Sequence, residues 1–147
     1  MIIKTWSLLK VSMKRKSIVI TICQEEFTLE AQKEFFLNQE KIIAAFFEKR
    51  EDLELHKTFF QLAKKQKNRN RWVQVIEALQ YAENYQCDVI FSSINQHHSQ
   101  IDLGEILIKF FEKNKKLKLF CIDQAFINEN NICEIIGHFL QRRRKIF

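Results

Sequence analysis

Hydrophobic positions along this chain change their period several times, and each change marks a predicted element. Ile18, Val19, Ile20, Thr21 and Ile22 form an unbroken β-branched run that stops at Cys23. Such a run suits a strand covered on both faces in a parallel sheet better than a half-exposed antiparallel one. Gln24, Glu25, Glu26 and Phe27 make a polar break, after which Thr28 is placed to cap a helix. Glu30 falls in the first turn, where the positive end of the helix dipole favours a carboxylate, and Leu29, Phe35 and Phe36 supply apolar positions. Lys41 to Phe47 is a second short apolar run whose length favours a strand, although Ala44 and Ala45 also suit a helix. In the charged stretch from Glu48 to Lys67, Leu53, Leu55, Phe59, Phe60 and Leu62 do not fall cleanly on one helical face. The reading there is a helix from about Asp52 to Lys65, resting partly on the sheet edge.

From Arg71 the helical period is clear, with Trp72, Val75, Ile76, Leu79 and Ala82 forming one apolar stripe that ends near Gln86. Cys87 to Phe91 then reads as a strand, followed by a polar loop containing Ser92, Ser93, Asn95, Gln96, His97, His98 and Ser99. Ile101 to Lys113 is an amphipathic helix with Leu103, Ile106, Leu107, Phe110 and Phe111 inside, and Leu117 to Ile122 is another strand, closed by Asp123. Ile132, Ile135, Ile136 and Phe139 mark a final helix running to Arg142, Arg143, Arg144 and Lys145. This alternation predicts an α/β fold: a mostly parallel sheet of four or five strands flanked by helices. The strands around Ile20, Phe91 and Phe120 should be adjacent, with Trp72, Val75 and Leu79 packed on one face. Residues 1–16 fit poorly with the rest and read as an N-terminal extension to a single domain over 17–147, with no separate DNA-binding domain.

Composition narrows the classes. The chain has 147 residues and 46% hydrophobic content, enough for one domain with a real core. With fourteen Phe, two Gly and no Pro it has few helix breakers, so long helices and polar turns are expected. Cys23, Cys87, Cys121 and Cys133 show no Cys-x-x-Cys pair and no zinc spacing with His, and read as small buried hydrophobes in a reducing cytoplasm. No apolar stretch approaches the roughly 20 residues of a membrane span. A net charge of +6 permits binding to nucleic acid or to an acidic partner, and equally suits a solvated basic surface.

The residues also resemble a known family. Serine recombinases of the resolvase and invertase type open with a strand reading Tyr-x-Arg-Val-Ser, a polar loop, and a helix beginning Ser/Thr-Leu-Glu/Asp-x-Gln, which Thr28, Leu29, Glu30, Ala31 and Gln32 match. A later family helix with Leu-x-x-Ala-Leu is similar to Val75-Ile76-Glu77-Ala78-Leu79, and the strand after it corresponds to Val89 to Ile94. The likeness extends over about Ile18 to Arg144, apart from the enlarged Glu48 to Lys67 segment. It implies the resolvase catalytic-domain fold, but the family's active-site residues are replaced. The arginine and nucleophilic serine of the first strand fall on Thr21 and Cys23, and the Asp, Arg and second Arg of the later motif fall on Asn95, Gln96 and Ser99.

Attack on a phosphodiester builds charge that preorganised cations must stabilise, and each key electrostatic donor is worth about 2.7 to 4 kcal/mol. Uncharged groups at Thr21, Gln96 and Ser99 therefore predict loss of activity. Cys23 would be nucleophilic only with a depressed pKa, and reads more simply as a buried cysteine at a strand end. His97 and His98 lack a carboxylate at ligand spacing, so no metal is expected, and no Walker, Rossmann or Gly-x-Ser-x-Gly pattern calls for a cofactor. The expectation is a catalytically degenerate recombinase-like domain that acts by binding. Arg142, Arg143, Arg144 and Lys145 would contact DNA weakly and without specificity, and the last helix would form a homodimer. The alternatives are an active DNA recombinase using Cys23 or another serine, and a protein-interaction module with no nucleic-acid role. The expected setting is cytoplasmic, with no membrane partner.

Overall fold

The computed structural model describes residues 14–24, 28–63, 72–92 and 101–122. Within them the elements alternate: β1 (Arg15–Gln24), α1 (Leu29–Lys49), β2 (Leu53–Ala63), α2 (Val73–Tyr85), β3 (Asp88–Phe91), α3 (Ile101–Lys113) and β4 (Leu119–Cys121). The four strands form one sheet in the order β2-β1-β3-β4, and every pairing is parallel. The expected α/β class is therefore present, and the strands around Ile20, Phe91 and Phe120 are neighbours. The helix expected at Ile132 to Phe147 lies outside the described residues.

The β-branched run makes β1 an inner strand. Ile18, Val19 and Ile20 are fully buried, and Ile22 and Cys23 are 1% exposed. Alternate residues of β1 serve two separate layers. Ile18, Ile20 and Ile22 join Trp72, Val75, Leu79, Leu103 and Leu107 on the α2/α3 face, whereas Val19 joins Ile43, Ile90 and Phe120 on the α1 face. This division follows from connectivity. The step from β1 to β2 runs one way along the sheet and the steps to β3 and β4 run the other, so crossovers of a single hand put α1 opposite α2 and α3.

Two elements differ from the sequence expectation. Lys41 to Phe47 is not a strand but the last two turns of α1, whose Thr28 cap accepts a hydrogen bond from Ala31 N at 3.1 Å. Only Ile43 of that run is buried, with Phe46 and Phe47 partly covered; Ile42, Ala44 and Ala45 are exposed. No Gly or Pro interrupts Leu29 to Lys49, and the alanine pair favours helix, so α1 continues through the run.

The second correction concerns the helix expected over Asp52 to Lys65: Leu53–Ala63 is instead the edge strand β2. Its ladder with β1 pairs Ser17 with Leu55 and Ile18 with Lys57, leaving His56 as an extra residue. Because side chains alternate along a strand, that bulge exchanges the two faces. Leu53 packs toward α1; beyond the bulge Phe59 reaches Tyr81 of α2 at 5.8 Å between ring centroids, and Phe60 turns back to Phe36 of α1 at 4.8 Å. No single period could describe this strand. The bulge and the charges of Glu54 and Lys57 also guard an edge that would otherwise invite strand pairing.

A smaller departure concerns Ile76, which was expected in the buried stripe of α2 and is 36% exposed at its rim. The start of α2 is held from another element. Trp72 at the N-cap position makes no side-chain cap, and Gln61 of β2 substitutes: its Oε1 accepts from Gln74 N at 2.8 Å and Val75 N at 3.1 Å. Its amide Nε2 donates to Leu62 O at 2.8 Å, so a side chain only 4% exposed fixes helix and strand together. Gln61→Leu leaves two N–H groups, that of Val75 buried and that of Gln74 partly so, without that acceptor and should lower stability by about 2 kcal/mol. The urea midpoint should fall with an unchanged slope; a midpoint equal to wild type would show that Gln61 is dispensable.

Candidate functional site

The sheet order reverses direction between β1 and β3. In open parallel sheets, ligands bind outside the carboxyl ends of the strands at such a switch point. Residue parity puts Thr21 and Cys23 on the α1 side of β1 at that end, and Ser92 follows directly after β3. Ser92 N donates to Ile20 O at 3.2 Å, and the hydroxyls of Thr21 and Ser92 lie 2.9 Å apart, fully buried, with either able to donate.

This geometry bears directly on the candidate residues. Thr21, where the resemblance would place a guanidinium, carries a hydroxyl bound to a second hydroxyl. Cys23 is buried near the end of the same strand. The sequence places Ser92 at the start of a polar loop, and no local pattern there predicts its pairing to Thr21. The separation in sequence is 71 residues, and only the parallel β1–β3 ladder brings them together. Asn95, Gln96 and Ser99, like Arg142, Arg143, Arg144 and Lys145, lie outside the described residues.

The other two cysteines among the described residues sit within the core, and Cys133 lies outside those residues. Cys87 and Cys121 are buried, and burial pushes the Cys87 thiol above its ordinary pKa, which disfavours the reactive thiolate. Among the described residues, no helix is long and apolar enough to cross a membrane.

At the opposite, amino edge of the sheet, a charged constellation ties three strands together. Arg15 opens β1 and Asp88 opens β3; the parallel ladder sets Asp88 beside Ser17, two residues from Arg15, within reach of the long Arg15 side chain. Arg15 donates both Nε and an Nη to the two carboxylate oxygens, each at 2.6 Å. The carboxylate, 1% exposed, also accepts from Lys118 N at 2.9 Å, and the guanidinium reaches Lys116 O at 3.1 Å. A planar fork matched to a carboxylate in this way supplies geometry as well as charge. The sequence reading gave Arg15 and Asp88 no role, because residues 73 apart in sequence have no local signal linking them.

Beside this pair is an open cleft of about 280 Å³, lined by Lys14, Arg15, Lys16, Tyr85, Gln86, Asp88, Lys116 and Leu117. Gln86 closes α2 in the left-handed region at φ 54°, and Cys87 N donates back to Ala82 O at 2.9 Å, which turns the chain sharply into β3. Thus, among the described residues, the carboxyl edge carries a neutral hydroxyl pair and a buried thiol, whereas the amino edge carries concentrated positive charge. No family model matches the chain, and a search of curated proteins finds no match.

Proposed function

We propose that this chain is a non-catalytic, nucleic-acid-associated binding domain of serine-recombinase-like design. The observation that carries this reading is the buried Thr21–Ser92 hydroxyl pair at 2.9 Å. Phosphoryl transfer at the switch point would need a cation directed at the developing charge, and a neutral pair whose hydrogen bond is already made supplies none. Cys23 supports the same conclusion: at 1% exposure its sulfur has no approach to a phosphodiester without rearrangement of β1. Binding is supported by the net charge of +6 and by the basic run Arg142 to Lys145.

Such binding should be governed by counterion release. With four phosphate contacts to duplex DNA, the logarithm of the association constant should fall with the logarithm of salt at a slope of about −3 to −4. An electrophoretic shift titrated from low to physiological salt should therefore lose the complex steeply, and unrelated duplex sequences should compete equally. Absence of a complex at low salt, or retention of one insensitive to salt, would reject the reading.

A further inference from the structure

We propose that the amino-edge cleft between Lys14, Lys16, Lys116 and Tyr85 is a binding surface for single-stranded nucleic acid. The proposal rests on the reading of the chain as a nucleic-acid-binding domain and assigns that binding a place and a strand type. Three remote parts of the sequence converge there: the start of β1, the end of α2 and the turn after α3. Four cationic side chains line the cleft against one carboxylate, Asp88, which the Arg15 fork already engages. The acids near this end also include Glu54, paired with Lys16 in the β1–β2 ladder and exposed on the edge strand, Asp52, held by Arg50 at 2.9 Å, and Glu83, held by Lys113.

The structural tasks at this end of the fold belong to different cations. Arg15 holds Asp88, and Lys113, in the last turn of α3, holds Glu83 at 2.9 Å. Lys14, Lys16, Lys115 and Lys116 stand exposed beside them. Helix carbonyl ends favour nearby cations, which accounts for Lys113, but Lys14 directly precedes β1 and Lys16 lies in it, so neither belongs to a helix end.

Tyr85 decides the kind of polyanion. Tyr85 is 55% exposed and lines the cleft, and its ring is backed by that of Tyr81, 4.5 Å away between centroids at an interplanar angle of 36°. An aromatic face held from behind and flanked by cations is what a strand with unstacked bases needs: phosphates meet lysines while a base lies on the ring. A duplex keeps its bases stacked and offers Tyr85 nothing. The volume, near the lower end of small-ligand pockets, suits one nucleotide unit better than a double helix.

Fluorescence anisotropy with a fluorescein-labelled oligothymidylate of 15 nucleotides tests this, titrated at several salt concentrations against the full chain. Lys14→Ala/Lys16→Ala/Lys116→Ala should weaken binding at least tenfold at low salt and reduce the salt slope by about 2, at about 0.7 per single-strand phosphate contact. Tyr85→Ala should weaken it about fivefold or more, while binding to a duplex of the same length is unchanged. Lys33→Ala/Lys41→Ala/Lys49→Ala, which removes equal charge from α1, should have less than a threefold effect. Circular dichroism and urea midpoints of all variants should match wild type, since every changed side chain is exposed. Equal weakening by the two lysine triples, or a silent Tyr85→Ala, would overturn the cleft while leaving nucleic-acid binding standing. Failure of wild type to bind either oligonucleotide would overturn both.

Discussion

Ile20→Ala should destabilise the domain by about 4 kcal/mol, within the range of about 2 to 5 kcal/mol for large-to-small core substitutions. Ile20 has no exposed surface and sits at the middle of β1, an inner strand. In the ladders it stands opposite Phe59 on β2 and Phe91 on β3, and all three belong to the core layer beneath α2 and α3. Truncation removes three carbons between two aromatic side chains fixed by backbone pairing. Neither strand can close the gap without breaking register, so most of the cavity should persist. Ile20→Val should cost about 1 kcal/mol. Urea unfolding measures both, and an alanine variant within 1 kcal/mol of wild type would contradict this packing.

The second large effect is expected at Arg15. Arg15→Ala leaves the Asp88 carboxylate, 1% exposed, with Lys118 N as its remaining donor among the hydrogen bonds described above. Removing one partner of a buried pair costs about 3 to 5 kcal/mol. The guanidinium side is 40% exposed, so water can enter along the open cleft and partly solvate the acid, which favours the lower end, about 3 kcal/mol. Arg15→Lys should recover only part of the loss, because an ammonium cannot make the two-pronged contact. The double variant Arg15→Ala/Asp88→Ala should be less destabilised than the sum of the single variants, because it no longer buries an uncompensated charge. A strictly additive double-mutant cycle would show that the pair is not coupled.

Legibility of the fold followed the physics of each segment. β1, α2, β3, α3 and β4 could be read because each keeps one period and is bounded by polar residues. Val75, Leu79 and Ala82 are buried on α2 as their spacing required, and Leu103, Leu107 and Phe111 on α3. β2 was misread because the extra His56 reverses its inward parity midway, which presents as aperiodic apolar positions. The second half of α1 was misread because Ile42, Ala44 and Ala45 are apolar yet exposed, so a helical stripe resembled a continuous run. At the candidate sites, Thr21 and Cys23 could be located from the strand motif. The Thr21–Ser92 bond, the Gln61 cap and the Arg15–Asp88 fork could not, because each depends on the order in which parallel strands pair.

The central claim is that the chain holds DNA without cutting it, and one gel tests it. Supercoiled plasmid incubated with the protein at low salt is divided in two, and one half is treated with detergent and protease before electrophoresis. The account predicts a retarded complex in the untreated half and fully supercoiled plasmid in the treated half, identically for wild type and Cys23→Ala. Nicked or relaxed plasmid in the treated half, with a covalent protein–DNA adduct that disappears in Cys23→Ala, would contradict it.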